Sequence, residues 1–169
     1  MSWAIEIVEP GNDQALDAVR ELWTAYWHSI GLPLEFQGFA QELRTLPGKY
    51  GPPAGRLFLV RLEGNPAATA AFRPFGGDAC EAKRLFVLPE YRRRGIAAAL
   101  LAKLVQEARL CGYRTLYGDT LPAMAQALDL YRAMGFVEVG RYSDDPTPDA
   151  IYLRLSLDAT GRERCGRKR

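Results

Sequence analysis

Val87-Leu88-Pro89-Glu90-Tyr91-Arg92-Arg93-Arg94-Gly95-Ile96-Ala97-Ala98-Ala99-Leu100 joins the end of an apolar strand to an Ala/Leu-rich helix through a basic, small-residue turn. The first turn of a helix has backbone N–H groups without intrahelical partners and a partial positive charge, so it receives anions. Gly95 has no side chain and lets a phosphate approach the backbone; Ala97 and Ala98 keep that approach nearly as open. Arg92, Arg93 and Arg94 add charge-assisted contacts and long-range attraction. The competing reading is a solvated helix start made of good helix formers, and Arg-x-x-Gly-x-Ala alone is a weak pattern. It lacks both the Gly-x-x-x-x-Gly-Lys-Ser/Thr run of a P-loop and the three spaced glycines of a dinucleotide fold.

Upstream of this turn, Cys80–Leu88 reads as a strand, preceded by the turn Phe75–Asp78 and a hairpin of Arg56–Leu62 with Ala67–Arg73 around Glu63-Gly64-Asn65. Before the hairpin, Trp3–Val8 alternates as a first strand. Leu16, Val19, Leu22, Trp23, Tyr26, Trp27 and Ile30 then form one helical stripe that stops at Gly31. Glu35–Leu46 is predicted to be a shorter helix, and the Pro/Gly-rich segment to Gly55 a loop. Downstream, the helix from Arg94 to Leu110 stops at Gly112. Thr115–Asp119 is a short strand, and Thr120, with Pro122 in the first turn, is expected to cap a helix running to Met134. Phe136–Tyr142 and Ile151–Leu157 close the chain as strands. The order β-α-α-β-β-β-α-β-α-β-β describes one mixed α/β domain without internal repeats.

The chain has 169 residues, 48% of them hydrophobic and 25% charged, as expected for one soluble domain with its own core. No apolar run approaches the roughly 20 residues that cross a bilayer, and the N-terminus lacks a signal pattern. The expected location is therefore cytoplasmic, with no membrane partner. Cys80, Cys111 and Cys165 are too scattered for a disulfide framework or a zinc site, and with His28 the only histidine no metal site is expected. Five basic residues against Glu163 give the last nine residues +4 of the net +2, leaving −2 for the rest. Residues 159–169 are expected to be a disordered basic tail on a 1–158 domain, and no nucleic-acid partner is expected.

With these motifs in place the sequence resembles the GNAT superfamily of N-acetyltransferases. Arg92, Gly95 and Ala97 match its acetyl-CoA signature Arg/Gln-x-x-Gly-x-Gly/Ala, preceded by Val87 through Arg92 as Val-x-Pro-Glu-Tyr-Arg. A second element, Ala-x-x-Leu-Tyr-x-x-x-Gly-Phe, is matched by Ala127, Leu130, Tyr131, Gly135 and Phe136. Phe36–Phe39, Leu46–Tyr50, Cys80–Leu85 and Asp119–Pro122 look like a bacterial subgroup not tied to one substrate. One departure is Met124, where many members carry an Asn that contacts the cofactor arm.

The resemblance implies a mixed, mostly antiparallel central sheet (α+β) flanked by helices and splayed at an acetyl-CoA cleft. It implies acetyl-CoA as cosubstrate and acetyl transfer to a primary amine of a small molecule or peptide by direct attack in a ternary complex. It leaves a homodimer open. The pantetheine arm would pair with backbone groups around Phe86 and Val87, and the N–H groups from Arg93 through Gly95 and Ile96 to Ala98 would hold the pyrophosphate. Tyr131 aligns with the acid that protonates the departing thiolate; the competing reading is a buried structural tyrosine. For the base, Glu81 lies 11 residues before Arg92 on the strand entering the loop. A structural ion pair of Glu81 with Lys83 or an arginine is the equal alternative, and Asp119 is the second base candidate. Alternation puts Glu81, Lys83, Leu85 and Val87 on one face. Tyr26, His28, Glu35, Tyr50, Asp144, Asp145 and Asp149 are open as acceptor contacts. A catalytically inactive acyl-CoA sensor is the alternative function.

Overall fold

The computed structural model describes residues 2–31, 33, 38–144 and 147–158. The elements are β1 Trp3–Ile7, α1 Asp13–Ser29, α2 Phe39–Thr45, β2 Arg56–Leu62, β3 Asn65–Pro74, β4 Ala79–Val87, α3 Ile96–Leu110, β5 Thr115–Thr120, α4 Ala125–Ala133, β6 Val137–Val139 and β7 Ile151–Ser156. Their order is the one read from the sequence. They form a single seven-stranded sheet, β1-β2-β3-β4-β5-β7-β6, antiparallel except between β4 and β5.

Each sheet face buries its own core. On one face α1 lays down the predicted stripe: Leu16, Val19, Leu22, Trp23 and Trp27 are all at most 4% exposed. Burying each such side chain contributes about 1.5–3 kcal/mol. The Trp23 indole donates to Thr69 Oγ1 at 3.0 Å, and that hydroxyl donates to the Phe58 carbonyl at 3.1 Å, so this core carries no unpaired indole. Asn12 begins α1, its side chain accepting from the Ala15 N–H at 3.1 Å. Such a cap stabilises by about 1 kcal/mol. On the other face, α3 and α4 pack Ile96, Leu100, Leu104 and Tyr131 against Phe58, Phe72 and Leu116.

Several boundaries differ from expectation. Thr120 caps nothing: it ends β5, paired with Ile151, and α4 starts only at Ala125, beyond Met124 and Pro122. The strand expected over Phe136–Tyr142 shortens to Val137–Val139, and α3 begins at Ile96 after a single helical turn at Pro89–Tyr91. Tyr50 lies in a turn within the Pro/Gly-rich loop and is 1% exposed, meeting Trp23 edge-on; it is core and not an acceptor contact. The second helix begins at Phe39; Glu35, with Phe36 and Gln37, lies outside the described residues, as do Asp145 and the basic tail.

Candidate active site

The cleft arises where two parallel strands part company. β4 and β5 pair only from Ala79 opposite Thr115 to Glu81 opposite Tyr117. Beyond that point β4 gains one residue relative to β3: Thr69 faces Phe86 while Ala71 faces Lys83. This bulge centres on Arg84, whose φ of +59° is rare for a side-chain-bearing residue. The extra residue shifts the alternation. Glu81, Lys83 and Phe86 share the α1 face, whereas Leu85 and Val87 pack with the α3 core, correcting the expectation that all four odd positions would align. Phe86 meets Tyr26 of α1 with ring centroids 5.4 Å apart.

Lys83, Arg84, Asp119 and Thr120 line the opening between the strands, with Tyr26 and Trp27 from α1 on one side and Met124, Ala127 and Tyr131 around α4 on the other. Tyr131 is 5% exposed, its ring edge-on to Phe136 at 5.1 Å. Burial, followed by the nearby Tyr26 and Asp119, raises its phenol above the ordinary range. Burial likewise raises Tyr26.

Glu81 sits one step behind the cleft wall, at 1% exposure. Its Oε1 accepts from Arg73 Nη2 at 2.7 Å and Nε at 3.0 Å, and its Oε2 accepts from the Tyr142 hydroxyl at 2.9 Å. Lys83 Nζ lies 3.6 Å from Oε2 and donates to Asp119 Oδ1 at 3.2 Å, tying the buried carboxylate to the one on the cleft. Burial, then the Glu81 charge, raises the Tyr142 phenol. The structure thus places Tyr131 and Asp119 on one cleft, with Glu81 linked through Lys83.

At the carboxyl end of β4 the basic loop turns into α3. Leu88 N–H donates to Ala67 O across β3 at 2.9 Å, so by alternation the Val87 amide group faces the cleft edge. Arg92 folds back, its Nε donating to Val87 O at 3.0 Å. Arg93 (φ +62°) and Gly95 (φ +73°) both take left-handed conformations, and a Cβ on Gly95 would meet nothing within 4 Å. Arg92 to Gly95 and Ala98 are exposed, whereas Ile96 is 1% exposed and packs into the α3 core. The first intrahelical bond runs from Ala99 N–H to Gly95 O, leaving the Ile96, Ala97 and Ala98 amides without i−4 partners.

Arg73, Tyr142 and the bulge at Arg84 were not legible as site features. Arg84 carries a second buried network: its Nη2 donates to Glu42 Oε2 at 2.6 Å, and the Tyr50 hydroxyl donates to Glu42 Oε1. A basic residue within an apolar strand next to Lys83 was the only sequence signal, and nothing local marks an insertion relative to β3.

Comparison with known proteins agrees with this geometry. The model of the acetyltransferase (GNAT) family matches residues 16–136. An uncharacterized N-acetyltransferase of Schizosaccharomyces pombe is 36% identical over 146 residues, covering 85% of this chain and 90% of that one. Among solved structures, an acetyltransferase of the GNAT family from Staphylococcus aureus superposes with a TM-score of 0.75 at 19% identity, covering 91% of this chain and 99% of that one. A Salmonella typhimurium protein whose structure holds its cofactor acetyl-CoA gives 0.69 at 19% identity, over 98% of this chain and 100% of that one. A sheet parted between its two parallel strands, a glycine-led helix start beside the gap and a matching family model together lead to one assignment: the chain belongs to the GNAT family and is an N-acetyltransferase.

Proposed function

We propose that this enzyme acetylates a primary amine of a small molecule or peptide, using acetyl-CoA, by direct attack in a complex that holds both substrates. The observation that carries the proposal is the cleft opened where β4 leaves β5, with Tyr131 and Asp119 on its walls. The residues present fit acetyl-CoA: the open space before Gly95 and the amides at the start of α3 suit a pyrophosphate, and the free β4 edge suits an extended amide chain. The proposed setting is the cytoplasm, and the free thiols of Cys80 and Cys111 suit a reducing compartment.

Acetyl-CoA would supply the acyl group, the amine nitrogen bonding to its carbonyl carbon while the C–S bond breaks and sulfur leaves with the electron pair. The Val87 N–H, on the cleft edge, is the donor placed to stabilise charge on the carbonyl oxygen. An alkylamine is an ammonium ion at neutral pH, so a proton must leave before attack. Asp119 takes it, being the carboxylate on the cleft wall, and Glu81 holds Lys83 against it. Tyr131 remains protonated near neutral pH, since burial raises its phenol, and gives its proton to the sulfur.

The test is release of free CoA thiol from acetyl-CoA across a panel of primary amines, using the full chain. Tyr131→Phe is expected to lower kcat by about 10²–10⁴-fold while acetyl-CoA binding persists. Acetyl-CoA binding without turnover of any amine would favour the sensor alternative. Loss of binding in Tyr131→Phe would instead assign the tyrosine a structural role.

A further inference from the structure

We infer that Tyr142 is a positioning residue for the reaction: by donating to Glu81 Oε2 it keeps the Lys83 ammonium on Asp119, and so fixes that carboxylate on the cleft. The inference rests on the reading above that Asp119 takes the proton of the amine.

Lys83 stands between two carboxylates. Its Nζ lies 3.2 Å from Asp119 Oδ1 and 3.6 Å from Glu81 Oε2. The Glu81 side chain is 1% exposed and that of Asp119 18%. Attraction between charges strengthens where water is excluded, so on burial alone Glu81 has the stronger claim on the ammonium. The observed geometry is the reverse. What offsets the claim is the set of donors already on Glu81. Arg73 Nη2 and Nε meet Oε1 at 2.7 and 3.0 Å, and the Tyr142 hydroxyl meets Oε2 at 2.9 Å. Oε2 is the oxygen nearest Lys83, so Tyr142 and Lys83 share one atom. A donor on a carboxylate oxygen offsets part of its charge and weakens its hold on a second donor.

Packing sets the position of that hydroxyl. The Tyr142 ring meets Tyr117, Tyr152 and Phe75 with centroids 4.8, 5.0 and 5.1 Å apart. In the strand register Tyr117 faces Glu81 and Tyr152 faces Asp119, so these side chains share one face of the sheet. Tyr142, carried between β6 and β7, lies across both rows. Burial, then the Glu81 charge, keeps its phenol protonated, so it acts as a donor. Without the hydroxyl, Oε2 keeps Lys83 as its remaining cationic neighbour among the described residues, and the ammonium is drawn from Asp119 toward Glu81. Asp119 then loses the hydrogen bond that orients it. Misplacing a reacting group by about 1 Å costs up to about 10²-fold in rate.

The experiment compares the native chain with Tyr142→Phe, Lys83→Met and the double variant, using acetyl-CoA with spermidine, tyramine, phenethylamine and L-lysine as acceptors. Tyr142→Phe keeps the ring and removes one oxygen, so it is expected to fold. Its kcat should fall roughly 10-fold while KM for acetyl-CoA is unchanged. In the Lys83→Met background no ammonium is left to share, and Tyr142→Phe should cost nothing further. Such non-additivity is the mark of groups in one ion-pair network. Losses that simply multiply would make Tyr142 a packing residue and overturn the inference. A crystal structure of Tyr142→Phe gives a readout that needs no acceptor. Lys83 Nζ should stand closer to Glu81 than to Asp119 there, and an unmoved Lys83 would overturn the inference. Asp119→Asn separates the two readings. Undiminished kcat in that variant removes Asp119 as proton acceptor and takes this inference with it. A large loss there beside a native-like kcat in Tyr142→Phe overturns this inference alone.

Discussion

Gly95 and Gly112 bracket α3 and differ in one respect that matters for the cofactor. Both hold left-handed backbones, φ +73° and +87°, and a Cβ on either meets nothing within 4 Å. Any side-chain-bearing residue there costs about 1–2 kcal/mol from backbone strain alone. Glutamate at position 95 stands at the positive end of the helix and recovers roughly 0.3–1 kcal/mol, whereas at position 112 it follows the negative end and adds a similar cost. Gly95→Glu should therefore destabilise by roughly 1 kcal/mol and Gly112→Glu by roughly 2 kcal/mol. In a domain of this size that is about 2–4 °C and 4–8 °C in melting temperature. The ligand response should run the other way. Acetyl-CoA at ~100 times its dissociation constant adds about 2.7 kcal/mol to a protein that binds it only when folded. A rise of roughly 5–10 °C is expected in the native chain and in Gly112→Glu, and none in Gly95→Glu, whose carboxylate stands where the pyrophosphate would bind. Differential scanning fluorimetry of the three proteins, with and without acetyl-CoA, measures both effects. A full acetyl-CoA shift in the more stable variant, Gly95→Glu, would refute the placement of the pyrophosphate on this loop.

Three further outcomes follow from the charge and thiol environments. Arg73→Met leaves Glu81 buried with Lys83, at 3.6 Å, as its remaining cationic partner among the described residues. Urea unfolding should show a loss of about 3 kcal/mol; Arg132→Met, at an ion pair whose side chains are 55% and 57% exposed, should change stability by under ~0.5 kcal/mol. A small loss at Arg73 would mean that Lys83 and Tyr142 suffice. Burial pushes the Glu42 carboxyl up, but the Arg84 charge and the Tyr50 hydrogen bond outweigh it and hold the group below its ordinary 4.5. A depressed carboxylate contributes stability that is complete above the unfolded value and is lost as pH falls through the folded one. Glu42→Gln should therefore flatten the fall in melting temperature below about pH 4.5, and an unchanged acid limb would contradict this. Burial pushes the Cys80 thiol up to about 12, so iodoacetamide at pH 8 should label Cys111 in the native chain and Cys80 only in denaturant. Mass spectrometry showing rapid native labelling of Cys80 would show that the β4 core opens.

Much of this molecule is written locally. The element order follows from apolar periodicity and from Pro and Gly punctuation, which act within a turn or two of the chain, and the loop proposed to hold the cofactor follows from small and basic residues at a strand-to-helix junction. Tyr131 stood out through the resemblance carried by Ala127, Leu130, Gly135 and Phe136, and the structure brings it to the cleft wall. What the sequence could not supply depends on pairing between distant segments. Thr120 looked like a cap because Ser and Thr prefer that position, but its backbone is committed to Ile151, 31 residues on, so the ladder outweighed the local preference. Alternation along β4 failed at Arg84 because a bulge is a mismatch between two strands and belongs to neither alone. Glu81 acquired its partners from Arg73 on the neighbouring strand and from Tyr142, 61 residues later. Local propensity sets where strands and helices lie; which polar atoms end up buried and which partners they meet is decided only when distant strands pair, and β4 and β5 separate, in the folded sheet.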